Sequence, residues 1–214
     1  MRVASPAEGD PAVVDAARHV LILQHPQEPG QDLGTAELAH SLLPNSTLRV
    51  GLSWRNLSAA LGREDKVDPK RWLALYFGSG PKGPPPRGQV LFAVEKRAFP
   101  VEDPSGLLGI DGIVVHDGTW SQAKSLWWRN AWLLKLRRGI LVPRRPSLYG
   151  RNRREPRREC VSTIEAIGQT LVGLGESPAI EPALTEQFAI FLANKRGSTA
   201  AIHTTPRGEK NEPL

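Results

Sequence analysis

The sequence contains a single cysteine, Cys160, among its 214 residues. One cysteine excludes an intramolecular disulfide, and it excludes a zinc site built from several cysteines within these residues. The sequence also lacks any run of about 18 or more apolar residues, the length that a transmembrane helix requires. Residues 1–20 lack the continuous apolar segment of a secretory signal peptide. We therefore expect a cytoplasmic protein with no membrane partner.

Several sequence motifs of cofactor and metal sites are also missing. Gly78, Gly80 and Gly83 match the spacing of a dinucleotide-binding loop, but Pro81 and the prolines at 84–86 prevent the helix that must follow. Neither a phosphate-binding loop nor a serine nucleophile motif occurs. The five histidines show no metal-ligand spacing, so we expect no metal within this chain.

The positive charge is concentrated in one segment. Between Lys135 and Arg158 the sequence has ten Lys or Arg residues and one Glu, a local balance of +9, whereas the remaining 18 basic and 21 acidic residues give −3. Nine of the ten are arginines, whose planar guanidinium groups suit phosphate contacts. This segregation favours a nucleic-acid partner over the alternative, a solvated loop kept soluble by its charge.

The hydrophobic pattern predicts an α/β domain. With 40% hydrophobic residues the chain can bury a core, and its length suggests one domain. We expect a flexible leader over 1–18, the folded domain over 19–196 and a polar tail over 197–214. Short apolar runs predict strands and longer amphipathic segments predict helices. The predicted strands are 19–25, 47–53, 71–77, 89–95, 112–117 and 139–143, and the predicted helices are 35–43, 119–134, 163–174 and 182–194. Alternation of the two favours a mostly parallel sheet with flanking helices.

The segment GIVVHDGTW places Asp117 at the end of a predicted buried strand, just before a helix. Ligands of open α/β sheets bind at the carboxyl ends of strands, and helix N-termini favour anionic groups. The competing interpretation is that Asp117 or Thr119 only caps the helix. Further along this helix, the pattern predicts a packing stripe through Trp120, Ala123, Trp127, Ala131 and Leu134. Trp128 and Trp132 fall off the stripe, so that one of them could stack on a nucleobase.

Five segments, in order, carry a resemblance to a known family. They are LILQHPQE, LGTAELA, HDGTW, SLYGRNRREP and VSTIEA, which lie between residues 21 and 166; the resemblance covers roughly residues 19–175. Together they resemble the DTW-domain family, whose signature is Asp-x-Thr-Trp. The resemblance implies a tRNA-uridine aminocarboxypropyltransferase, which moves the 3-amino-3-carboxypropyl group of S-adenosylmethionine to N3 of a uridine in tRNA and releases methylthioadenosine. It also implies a SPOUT-like fold with a C-terminal trefoil knot.

The resemblance also implies roles for particular residues. Asp117 is the expected catalytic residue, because a carboxylate can take the N3 proton of uridine. The expected S-adenosylmethionine-binding residues are Gln24, His25, Thr35, Thr119, Ser162, Thr163 and Glu165, although Thr119, Ser162, Thr163 and Glu165 also suit a helix N-terminus. The expected tRNA-binding residues are Trp120, Tyr149, Arg144, Arg145, Arg151, Arg153, Arg154, Arg157 and Arg158.

Two departures from the family pattern accompany these expectations. Family members often carry an N-terminal cysteine cluster that suggests a zinc module, and this sequence has none. The family arginine three residues after the tyrosine is replaced by Asn152, so Arg153 is taken as its counterpart. Three other functions stay open at this point: a non-catalytic RNA-binding protein, the same transfer onto ribosomal RNA, and a methyltransferase.

Overall fold

The computed structural model describes residues 13–31, 33–75, 89–94, 99–101, 104–150 and 161–202. Within these ranges the strands are β1 His19–Gln24, β2 Ser46–Val50, β3 Trp72–Leu75, β4 Leu91–Val94, β5 Gly112–Asp117 and β6 Arg137–Leu141. The α-helices are α1 Ala36–Leu42, α2 Leu57–Leu61, α3 Trp120–Arg129, α4 Thr163–Gly173 and α5 Ile180–Ile202. Short 3₁₀ helices cover Pro69–Arg71, Pro104–Leu107 and Ala131–Lys135.

The described strands form one mixed sheet in the order β2-β1-β5-β3-β6-β4. Every neighbouring pair is parallel except β4 with β6, which is antiparallel. This confirms the predicted α/β class and the mostly parallel sheet. The central strands β1 and β5 lie side by side, so their carboxyl ends reach the same edge of the sheet.

Both faces of the sheet are covered, which explains why the central strands are almost entirely apolar. Val20 and Ile22 of β1 belong to a core that includes side chains of α1, α4 and α5. Leu21 and Leu23 belong to a second core, which includes side chains of α2, α3 and the 3₁₀ helix Ala131–Lys135. Successive side chains of a strand point to opposite faces, so odd and even positions enter different cores.

The predicted helix over 119–134 is wrong beyond Arg129. The buried side chain of Asn130 ends α3, because its amide donates to the carbonyls of Leu126 and Leu52 at 2.8 and 3.0 Å. Its Oδ1 accepts from Trp132 Nε1 at 3.1 Å and from the backbone N–H of Trp54 at 2.8 Å. The chain continues as a 3₁₀ helix and buries Trp132, so this tryptophan is unavailable for base stacking. Ala131 and Leu134 of the predicted stripe are exposed instead.

The packed part of the chain begins before residue 19. Val14 and Ala16 are buried in the α1–α4–α5 core, and the Val14 N–H donates to the Leu42 carbonyl at 2.8 Å. Arg18 forms an ion pair with Glu176 at 3.0 Å, which holds the residue before β1 against the segment that follows α4. At the other end, α5 runs from Ile180 to Ile202, longer than the predicted 182–194. The glycine motif at 78–83 and Cys160 lie outside the described residues.

Candidate functional site

Asp117 and Gln24 lie side by side at the carboxyl edge of the sheet. They are register partners at the ends of β5 and β1. The His25 N–H donates to the Asp117 carbonyl at 3.0 Å, which holds the two strand ends together. Both side chains fall on the sheet face that α4 covers, and Asp117 is only 5% exposed. The expected strand-end position of Asp117 is therefore confirmed.

The Asp117 carboxylate is held by two donors from different elements. Gln24 Nε2 donates to Oδ2 at 3.1 Å, and the Thr163 hydroxyl donates to Oδ1. Thr163 is the first residue of α4, so this helix delivers its side chain to the end of β5. Hydrogen bonds from β1 and α4 thus fix the carboxylate in one orientation, in a site largely screened from water.

Asp117 does not cap α3, because Thr119 does. The Thr119 hydroxyl accepts from the Gln122 N–H at 3.4 Å, and Gln122 Oε1 accepts from the Thr119 N–H at 2.6 Å, a reciprocal capping box. The capping interpretation is therefore correct for Thr119 and wrong for Asp117. Thr119 fixes the start of α3 two residues after Asp117.

Gly118 makes the turn between Asp117 and Thr119 possible. Its φ is +149°, a conformation that residues with a side chain rarely adopt. A Cβ at this position would lie 3.0 Å from Gln122 Cβ and 3.4 Å from His25 Cβ. The glycine of the HDGTW segment therefore lets β5 turn into α3 while the His25 loop stays close.

The Glu165 carboxylate accepts hydrogen bonds at the start of α4. Its Oε2 accepts from the N–H and hydroxyl of Ser162 at 2.9 and 2.6 Å, and from the Ser147 hydroxyl at 2.6 Å. Its Oε1 accepts from the Leu148 N–H at 2.9 Å. Ser162 and Glu165 form the capping box of α4, which confirms the helix-terminus interpretation of both residues. Ser147 is the first residue of the SLYGRNRREP segment but was not among the expected site residues, and Glu165 connects it to the start of α4.

Thr35 and His25 complete the surroundings of Asp117. Thr35 is buried, and its hydroxyl accepts from the Ile164 N–H at 3.4 Å, which joins the start of α1 to the start of α4. The half-buried His25 follows Gln24, and its Nδ1 accepts from the Gln27 N–H at 3.3 Å. The structure therefore brings Gln24, Asp117 and Thr163 into direct contact. Thr35 contacts Ile164, the residue that follows Thr163.

The residues expected to contact RNA do not all lie at the carboxyl edge of the sheet. Tyr149 is only 2% exposed, its ring lies edge-on to Phe188 at 5.0 Å, and its hydroxyl donates to the Leu33 carbonyl. The expectation that Tyr149 binds RNA is therefore wrong, because its side chain belongs to the core. Arg144 and Arg145 are exposed, and Trp120 is half-buried. Arg151, Arg153, Arg154, Arg157 and Arg158 lie outside the described residues.

A cavity of about 450 Å³ lies near Arg144, between α4 and β4. Its described lining residues do not include Asp117, Gln24 or Thr163, so it is separate from the site at the end of β5. Over the described ranges, no group of three or more His, Cys, Asp or Glu side chains is arranged to hold a metal ion. No helix in the same ranges is long and apolar enough to cross a membrane.

His116, next to Asp117, belongs to the opposite face of the sheet. It is buried against Trp127, with ring centroids 5.8 Å apart, and burial lowers the pKa of its imidazole from 6.5 to about 3. Below about pH 6.5 the imidazole of His116 takes up a proton in the unfolded chain but not in the folded chain. The free energy of unfolding therefore decreases as the pH falls from about 6.5 towards 3. The histidine of the HDGTW segment is therefore a core residue that must stay uncharged.

Replacing His116 by Phe is expected to flatten the acid side of the stability profile. Between pH 6.5 and 4, the free energy of unfolding of the wild type should fall more steeply than that of His116→Phe, by about 1 kcal/mol for each pH unit. Urea unfolding at several pH values measures this, with the exposed-histidine variant His40→Phe as a control. Parallel profiles for wild type and His116→Phe would show that His116 is protonated in the folded state.

Comparison with known proteins adds to this geometry. A model of the DTW domain matches residues 7–195. The Mus musculus protein named tRNA-uridine aminocarboxypropyltransferase 2 is 26% identical over 171 residues, which are 78% of this chain and 51% of that protein. The chain thus spans about half the length of this curated relative. No solved structure matches the chain significantly.

Proposed function

This chain belongs to the DTW-domain family, and we propose that it transfers the 3-amino-3-carboxypropyl group of S-adenosylmethionine to N3 of a uridine in tRNA. The observation that carries the proposal is the Asp117 carboxylate, held by Gln24 and Thr163 at the carboxyl edge of the sheet. The name of the mouse relative supports tRNA-uridine as the acceptor. We also propose that the fold is SPOUT-like and has the C-terminal trefoil knot that the family resemblance implies.

The residues around Asp117 fit a donor that carries an amino acid group. An aminocarboxypropyl group has one positive and one negative charge. Asp117 offers a negative charge, and α3 and α4 both begin beside it at Trp120 and Thr163. Helix N-termini favour negative groups. A donor carboxylate near the helix starts would match them in charge, which leaves the Asp117 carboxylate for the acceptor.

Asp117 is proposed to act on the acceptor as general base. Uridine N3 must lose its proton before it can form a bond to carbon, and a positioned carboxylate can accept that proton. S-adenosylmethionine supplies the activated carbon, and its carbon–sulfur bond breaks as the nitrogen–carbon bond forms, with methylthioadenosine as the leaving group. Gln24 and Thr163 would keep the carboxylate oriented throughout the reaction, since neither hydrogen bond depends on the substrate.

The basic segment is proposed to hold the tRNA phosphates. Arg144 and Arg145 are exposed just after β6, in the segment that leads towards Ser147 and Glu165. Arg151, Arg153, Arg154, Arg157 and Arg158 continue the same charge in the sequence. Arginine–phosphate contacts displace counterions, so tRNA affinity should fall steeply between low and physiological salt.

Nucleoside mass spectrometry tests the proposed reaction directly. The purified protein is incubated with S-adenosylmethionine and unmodified tRNA, and the digested RNA is searched for uridine carrying the aminocarboxypropyl mass. That product supports the proposal. A methylated nucleoside would indicate a methyltransferase, and product on ribosomal RNA alone would change the acceptor. Binding of tRNA without any product or any affinity for S-adenosylmethionine would indicate a non-catalytic RNA-binding protein.

A further inference from the structure

One exposed stripe of α3 is aromatic and basic. Trp120, Lys124 and Trp128 are spaced four residues apart, which places them one above the other on the same helix face. Trp120 is half-buried, Lys124 is exposed, and Trp128 is 77% exposed. The Lys124 ammonium lies 5.7 Å from the centre of the Trp120 ring, within the range of a cation–π contact.

Packing of the fold does not account for the exposure of Trp128. The buried side of α3 is formed by Ala123, Leu126 and Trp127, which pack against the sheet. Trp128 exposes a larger fraction of its side chain than any other large hydrophobic residue in the described ranges. Tryptophan usually buries most of its large surface in a core or an interface. Exposure of this size favours a role of Trp128 in binding a partner.

The charge of α3 and of the segment that follows it in the sequence indicates the class of that partner. From Trp120 to Leu141 the sequence contains five basic residues and no acidic one. The five are Lys124, Arg129, Lys135, Arg137 and Arg138. A polyanion is therefore favoured over a basic or purely apolar partner. Flat aromatic rings between cations are the arrangement that binds single-stranded nucleic acid, because every base has a face that can stack.

The position of the stripe fits an RNA acceptor of the site at Asp117. Trp120 lies three residues after Asp117, and Trp128 lies about 12 Å further along the helix axis at about 1.5 Å per residue. This length corresponds to about three or four stacked nucleotides at about 3.4 Å each. Uridine N3 carries the hydrogen that pairs with adenine, so a uridine that reacts at N3 must be unpaired.

We propose that this α3 stripe binds an unpaired RNA segment next to the reacting uridine, with bases stacked on Trp128 and Trp120 and phosphates near Lys124 and Arg129. This inference rests on the proposed function for the identity of the RNA. It adds the position of the acceptor strand, which would lie along α3. It implies that the protein modifies a uridine in a loop and holds its neighbours by stacking, with little dependence on their sequence.

The test compares RNA affinities of Trp128 variants in the absence of S-adenosylmethionine. Fluorescence anisotropy is measured with a labelled 12-nucleotide single strand, with the same strand in a duplex, and with unmodified tRNA. Trp128→Ala should weaken binding to the single strand by about 5- to 100-fold. Trp128→Phe, which keeps a flat ring, should recover most of that affinity. Leu134→Ala is the matched control, since Leu134 is an exposed hydrophobic residue of the next helical turn.

Three outcomes would overturn the proposal. One is unchanged affinity of Trp128→Ala for the single strand and for tRNA. Another is an equal loss for the duplex, which would show that Trp128 does not act by stacking on unpaired bases. A third is unchanged RNA affinity together with altered self-association in sedimentation, which would assign Trp128 to a protein contact. Because binding is measured without the donor, a protein that shows the Trp128 effect but makes no product refutes the proposed reaction alone.

Discussion

Asp117→Asn is expected to reduce the rate of aminocarboxypropyl transfer by about 10²- to 10⁴-fold, the usual contribution of a positioned general base. The amide keeps the shape of the side chain and cannot accept the N3 proton. Affinity for tRNA should stay close to that of the wild type, because no RNA phosphate is assigned to Asp117. Single-turnover rates with saturating S-adenosylmethionine measure the chemical step separately from binding.

The variant should stay folded because its neighbours can adapt. In the wild type, Gln24 Nε2 faces the carboxylate, and Gln24 Oε1 is buried with no hydrogen-bond partner in the described part of the chain. If the Gln24 amide rotates by half a turn, Oε1 can accept from the amide that the substitution introduces, and the Thr163 hydroxyl can still donate to the remaining oxygen. The free energy of unfolding should therefore change by no more than about 1 kcal/mol.

A second aspartate provides the matched control. Asp111 is half-exposed and pairs with Arg71 on the surface, just before β5 begins and therefore at the opposite end of this strand from Asp117. Asp111→Asn should leave the transfer rate within about twofold of the wild type, since surface substitutions rarely disturb a distant site. A wild-type rate in folded Asp117→Asn would show that another group takes the proton and would leave Asp117 with a positioning role.

Glu165→Ala is expected to destabilise the fold by about 3–5 kcal/mol. The Glu165 carboxylate accepts four hydrogen bonds, from two groups of Ser162, from Ser147 and from Leu148. Leaving a buried donor without a partner costs about 1–3 kcal/mol. Alanine also removes the capping box of α4. Because α4 carries Thr163, loss of this cap should loosen the partner of Asp117 as well.

Urea unfolding of three variants tests this role. Glu165→Gln keeps one acceptor oxygen, so it should lose about half as much stability as Glu165→Ala. Glu186 is an exposed glutamate in the second turn of α5, so Glu186→Ala is the control and should stay within about 0.5 kcal/mol of the wild type. If Glu165→Ala kept wild-type stability and lost only its affinity for S-adenosylmethionine, Glu165 would be a donor-binding residue, as the resemblance implied.

The sequence by itself determined the elements whose causes are local. Apolar runs predicted the strands, and Thr119 and Ser162 were residue types that suit a helix N-terminus, as the structure shows. The position of Asp117 at a strand end also followed from the pattern alone. Each of these features depends on neighbours along the chain, within about one turn of helix or one strand, so the order of residues contains the required information.

The tertiary structure decided everything that depends on contacts between distant segments. Gln24 and Asp117 meet because β1 and β5 pair, although 93 residues separate them. Asn130 ends α3 because it reaches Leu52 and Trp54 in another segment, which overrides a pattern that favoured a longer helix. Tyr149 is buried because α5 brings Phe188 against it. Burial and hydrogen bonding across the fold outweigh local propensity by several kcal/mol, so these placements could not be read from the sequence.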